Sequence, residues 1–190
     1  MSIDIEHKVI FDGSGDLHLS GVLPAREASL KSGVYLVMLN PHLGPPHLYL
    51  LVEGGLFSLS VSGVKMNQAL GPFLQWLLRT GKGAMFVELF LPEIFQMRDV
   101  HDKIREIFAA YPEAGAPGIT CLSPIRDFCS EIIHPETAQS RLIFDLLPCL
   151  ERVSGIGSVS QINLGSYLYS DTFRLKKYSL ETVFSSMENG

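Results

Sequence analysis

Three kinds of side chain in this sequence could carry chemistry. They are a cysteine in "DFCSEII" (127–133), a histidine that opens "HLYLLVEGG" (47–55), and the serines of "LFSLSVSG" (56–63). Apolar residues at 125, 128, 129, 132 and 133 follow the spacing of one helix face, and Cys129 lies on it. Such a thiol is either a small core residue or a nucleophile near a helix N-terminus, where the dipole and free N–H groups lower its pKa. With Asp127 as N-cap, Cys129 falls in the first turn. With Ser123 as N-cap it falls in the second, and the effect weakens.

The histidine needs an element to aim it. Residues 47–63 read as a hairpin, with Gly54-Gly55 as a two-residue turn. Pairing outward from that turn sets Val52, Leu50 and Leu48 against Phe57, Leu59 and Val61. The alternate face sets Leu51, Tyr49 and His47 against Ser58, Ser60 and Ser62. His47 and the serines thus share one side of the sheet. That side is either a solvated edge or half of a catalytic site whose nucleophile lies far downstream.

The remaining elements follow from periodicity and punctuation. Strands are expected over 3–11 and 17–23, and 24–33 reads as a loop or short helix. "VYLVMLN" (34–40) has the unbroken apolar run of a strand buried on both faces. "PHLGPP" (41–46) excludes regular structure. A helix over 67–81 is expected to be interrupted near Gly71-Pro72 and capped by Gly81. A strand over 84–92 carries Glu88 in its middle, and a helix over 96–112 stops at Pro112. Two more helices are expected over 123–135 and 136–153, with Ser123 as cap, Pro124 at the first position and a bend at Pro148. A last strand falls within 159–170. The tail from Asp171 reads as a short helix or as partly disordered. This order predicts an α+β fold, with a mostly antiparallel sheet and helices packed against it, in a single domain over 1–190.

Bulk properties narrow the function classes. The 190 residues are 46% hydrophobic and 18% charged, with a formal net charge of −5. That balance, with no long basic run, argues against nucleic acid as the main partner. No stretch approaches the ~20 apolar residues of a membrane span. The acidic start "MSIDIEHKVIFDGSGD" lacks the apolar core of a secretory signal, so a cytoplasmic location is expected. The three cysteines, Cys121, Cys129 and Cys149, are too few and too oddly numbered for a disulfide framework, and no CxxC spacing suggests zinc. His42 and His47 lie five apart, without further ligands at metal-binding spacing. The glycine-containing turns "GSGDLHLSG" and "SGIGS" are not phosphate loops.

Taken together, "HLYLLVEGG" and "CSEII" make the chain resemble the circularly permuted NlpC-type papain-like cysteine hydrolases, which include the YiiX/YebB-like and lecithin:retinol acyltransferase-like proteins. In that group a histidine opens a strand of the form H-x-G, and a downstream helix begins with Cys, often within "CSEL[VI]". The resemblance covers about residues 33–134. It leaves 1–32 as an N-terminal strand extension and 135–190 as a C-terminal helix and strand extension. It implies a permuted papain-like core with Cys129 as nucleophile, His47 as base and a third polar residue on the following strand, where Ser60 or Ser62 stands. Cys121, which precedes a good helix start, is the alternative nucleophile, and Glu88 an alternative acid. The implied activity is that of a thiol-dependent hydrolase or acyl transferase acting on a small peptide-like amide or ester, with no metal or organic cofactor. The sequence departs from the family pattern in two places. Tyr49 replaces a glycine, and a serine stands where a carboxylate or amide would steady an imidazolium. These departures motivate the alternative of a non-catalytic binding or interaction protein on the same fold.

Overall fold

A computed structural model describes residues 9–11 and 14–188 of the chain. The expected strand over 3–11 is present in its last three residues, and positions 3–8 lie outside the described residues. The architecture is α+β, built on a seven-stranded sheet and a smaller four-stranded one.

The "VYLVML" run forms strand β4 (Val34–Leu39), buried at every position. It sits mid-sheet, as a strand without a polar face must. One neighbour is β5 (His47–Val52), followed outward by β6 (Gly55–Ser60) and β7 (Gly63–Ala69). The other is β8 (Ala84–Leu89), followed by β9 (Ile156–Ile162) and the two-residue β3 (Leu23–Pro24). All pairings are antiparallel except β3 with β9.

Period-2 alternation divides this sheet into two apolar faces. Leu36, Met38, Leu48, Leu50, Phe57, Met85 and Val87 belong to the larger core, which α3 (Met97–Ala109), α4 (Ser123–Phe128) and α5 (Ile143–Arg152) cover. Tyr35, Val37, Leu51 and Phe86 face the other way, onto α2 (Leu70–Thr80), whose Leu70, Leu74 and Leu77 are buried. The four-stranded sheet runs β1 (Val9–Phe11), β2 (Leu17–Leu19), β11 (Thr172–Leu175) and β10 (Leu168–Tyr169). Leu17, Leu19, Phe173 and Leu175 join it to the larger core. The short α1 (Glu27–Leu30) follows β3, and α6 (Leu180–Glu188) ends the described chain.

Several expected boundaries move for identifiable reasons. The hairpin pairs Leu50 with Phe57, Leu51 with Leu56 and Val52 with Gly55, so the turn is Glu53-Gly54 and not Gly54-Gly55. Both turn residues have positive φ, 45° and 81°, as a two-residue turn between twisted strands requires. Gly55 then enters the strand, where a Cβ would collide with Asn67 Oδ1. Moving the turn by one residue moves each partner by two, so the assignment of residues to faces survives.

The helix expected from 67 begins at Leu70 instead, because 63–69 forms β7, bulged opposite Leu56–Ser58. Pro72 does not interrupt it. As the third helical residue it occupies a position whose N–H lacks an intrahelical partner anyway. Gly81 caps the helix in the left-handed conformation, φ 67°.

The helix expected over 123–135 is α-helical to Phe128 and then widens into a π-turn over Cys129–Ile133, closed by His134 N–H donating to Cys129 O at 2.9 Å. The segment expected as one helix over 136–153 is a 3₁₀ turn (Pro135–Gln139) followed by α5. Asp145 takes the Arg141 and Leu142 N–H groups, each at 2.9 Å, and so fixes where α5 starts.

Candidate functional site

Antiparallel neighbours β5 and β6 bring the first residue of one and the last residue of the other to the same end of the sheet. His47 and Ser60 meet there. Together with Cys121 they line a cavity of about 160 Å³, to which Ser186 and Met187 of α6 also contribute.

His47 closes a row of rings. It packs edge-on against Tyr49 at 4.8 Å, Tyr49 lies 5.3 Å from Phe73, and Phe73 lies 5.8 Å from Trp76. Burial, assisted by the Lys65 ammonium, lowers its pKa to about 4. Its imidazole is therefore neutral at pH 7. Ser60 Oγ donates to Gly63 O at 3.1 Å and lies 2.9 Å from Ser62 Oγ. The two serines thus serve the β6–β7 turn, and among the described residues no hydrogen bond joins Ser60 to the imidazole.

Cys121 sits immediately ahead of α4, in a segment tied to itself. Thr120 N–H donates to Ser123 Oγ at 3.0 Å, and Leu122 N–H to Thr120 Oγ1 at 3.2 Å. Cys121 is 7% exposed. Burial pushes its thiol up to about 11, against backbone hydrogen bonds from Leu48, Cys121 and Leu122 that favour the thiolate.

Cys129 is elsewhere. It has no exposed surface, lies in the larger core with Ile125, Phe128 and Ile132, and is not among the residues lining the cavity. Burial raises its pKa far above the ordinary thiol range, and Cys149 adds to the rise. Glu88 is committed to β9, accepting from Ser158 N at 3.0 Å and Ser158 Oγ at 2.6 Å. Ser62 remains at the serine turn, and His42 lines a different cavity. Among the described residues no three His, Cys, Asp or Glu side chains converge as a metal site, and no helix is long and apolar enough to cross a membrane.

Of the sequence-derived candidates, then, the structure gathers His47, Ser60 and Cys121. The signal for Cys121 is its place in "TCLSP", just before a Ser-Pro helix start. The "CSEII" pattern drew attention eight residues further on, into the core. The contribution of α6 had no signal, because the polar tail gives a weak helical pattern.

Comparison of the chain with protein-family models, with curated proteins and with solved structures returned no match.

The His47 environment makes a prediction about stability. The unfolded chain takes up a proton near pH 6.5, and the folded chain not until about pH 4. Stability is therefore full above pH 6.5 and falls between there and pH 4, by about 3 kcal/mol from this group. Urea midpoints measured across pH 4–7 should show a shallower decline in His47→Gln than in the parent. Identical slopes would refute this account of the ring.

Proposed function

We propose that the chain performs thiol-dependent acyl chemistry on a small peptide-like amide or ester, with Cys121 as nucleophile in place of Cys129, His47 as proton carrier and Ser60 as a polar neighbour. The observation that carries this reading is that His47, Ser60 and Cys121 line one cavity. The Cys121 sulfur would attack the acyl carbon as its proton passes to His47. His47 would return that proton to the leaving amine or alcohol, and water or an acceptor would then take the acyl group from sulfur. The Cys121 backbone N–H, beside the sulfur, would serve the oxyanion, the Leu122 N–H being given to Thr120 Oγ1. The chain order, with the histidine strand, then the serine strand, then the cysteine before a helix, suits the permuted papain-like arrangement.

A second reading rests on a specific observation. With His47 at about 4 and Cys121 at about 11, both groups rest neutral at pH 7, and the ion pair that activates such a thiol does not form spontaneously. This favours a non-catalytic binding protein on the same scaffold.

One experiment separates the two. Hydrolysis of p-nitrophenyl acetate is followed at pH 8 alongside mass-spectrometric mapping of iodoacetamide labelling. The enzyme reading expects turnover that is lost in Cys121→Ala and in His47→Ala but retained in Cys129→Ala, with native labelling at Cys121 and not at Cys129. Turnover equal in parent and Cys121→Ala leaves the binding reading.

A further inference from the structure

A second cavity, of about 620 Å³, opens where the Pro41–Pro45 loop meets the four-stranded sheet and the start of α6. Its volume falls within the range of small-molecule sites. Its lining combines the aromatic Tyr167, Phe173 and Tyr178 with the cationic Arg174, Lys176 and Lys177. No acidic residue lines it. In a chain with net charge −5, three cations within four residues line one hollow, the Arg174 charge being met by Asp16 and the two lysines leaving the lining positive.

The cationic segment is held in place. Asp16, buried beside it, accepts from Arg174 Nε at 2.6 Å and from Lys177 N–H at 2.8 Å, which pins the end of β11. Arg174 is thereby engaged, while Lys176 and Lys177 are exposed on a fixed backbone, with the Lys177 side chain lying along Gly15. The aromatic residues are held as well. The His42 ring lies on Tyr167 with centroids 4.2 Å apart, and Tyr178 packs edge-on against Phe144 at 4.8 Å. His42 belongs to a loop stitched to the main sheet, with Asn40 N–H donating to Gly83 O at 2.7 Å and Gly83 N–H to Asn40 Oδ1 at 3.1 Å. Its Nδ1 is buried without a hydrogen-bond partner among the described residues. The flat aromatic rings and the ammonium groups of one lining together suit a ligand with an aromatic ring at one end and a phosphate at the other.

We propose that this cavity binds a nucleoside monophosphate, its base against the Tyr167 and Tyr178 rings and its phosphate between Lys176 and Lys177. Neither half of that ligand satisfies the site alone. Adenosine lacks the charge, and inorganic phosphate lacks the ring. The proposal stands apart from the thiol site, since none of the residues it uses lines the His47–Cys121 cavity.

Isothermal titration with AMP, GMP, CMP and UMP, and separately with adenosine and inorganic phosphate, tests it. At least one nucleotide should bind at least tenfold more tightly than either fragment. Lys176→Ala/Lys177→Ala should weaken that nucleotide by at least tenfold, since each charge-assisted contact to phosphate contributes about a factor of ten. Tyr167→Ala should weaken the nucleotide and adenosine while leaving phosphate binding unchanged. The two lysines are exposed, so the melting temperature of the double variant should match the parent and exclude unfolding as the cause. The proposal is overturned if no nucleotide binds at millimolar concentration, if phosphate alone binds as tightly as every nucleotide, or if the lysine variant binds as the parent does.

Discussion

Phe57→Ala lowers the free energy of unfolding by about 3–5 kcal/mol, the cost of emptying a large buried aromatic site. Phe57 is fully buried in β6, opposite Leu50, and its ring lies 5.9 Å from that of Phe108 on α3. It therefore ties the helix layer to the strand that ends at Ser60. The surroundings are two packed layers, and neither can collapse into the vacated space without moving an element. Domains of this kind are stable by about 5–15 kcal/mol, so the loss consumes a large share of the total. Urea unfolding should show a lower midpoint with unchanged slope. Val61→Ala, at a position 45% exposed on the same connection, should shift it by less than about 0.5 kcal/mol. Equal shifts in the two variants would show that Phe57 does not hold the layers together.

Asp16→Ala should cost about 2–3 kcal/mol and lower the melting temperature by about 5–10 °C. Asp16 is 7% exposed and holds two donors from a segment more than 150 positions away in the chain. Its removal strands the Lys177 N–H and releases Arg174. Arg174 is half exposed and can return to water, which keeps the cost below that of breaking a fully buried ion pair. Asp16→Asn, which keeps an acceptor but loses the charge, should fall between Asp16→Ala and the parent in calorimetry. If Asp16→Ala melts with the parent, the carboxylate does not anchor the end of β11.

The same two residues show how much of the fold is legible in the sequence. Phe57 announced itself, because alternation across a turn assigns faces even when the turn is placed one residue off. The apolar run at 34–39 likewise declared a central strand, and the α+β class followed from the order of such runs. Asp16 could not be read, since its partners lie at the far end of the chain and nothing local records the pairing. β7 was hidden for another reason. "GVKMNQA" (63–69) has no period-2 contrast, being largely exposed, and its pairing with β6 comes from the neighbouring strand's open edge. For the site, His47 and Ser60 were legible from the hairpin. Cys129 drew the chemistry to itself because a helix-face pattern and a nucleophile pattern coincide in "CSEII". Place within the core separates it from Cys121, which lines the cavity with His47 whereas Cys129 does not.

The row of rings that runs from His47 through Tyr49 and Phe73 ends on Trp76, the single tryptophan of the chain, with Lys82 Nζ 4.8 Å from its centroid. The molecule thus carries its own optical reporter. An indole three ring contacts from the imidazole, with a cation at its face, emits from an environment that those contacts define. A change in the packing of His47 reaches the chromophore through touching side chains, without a label and without a substrate.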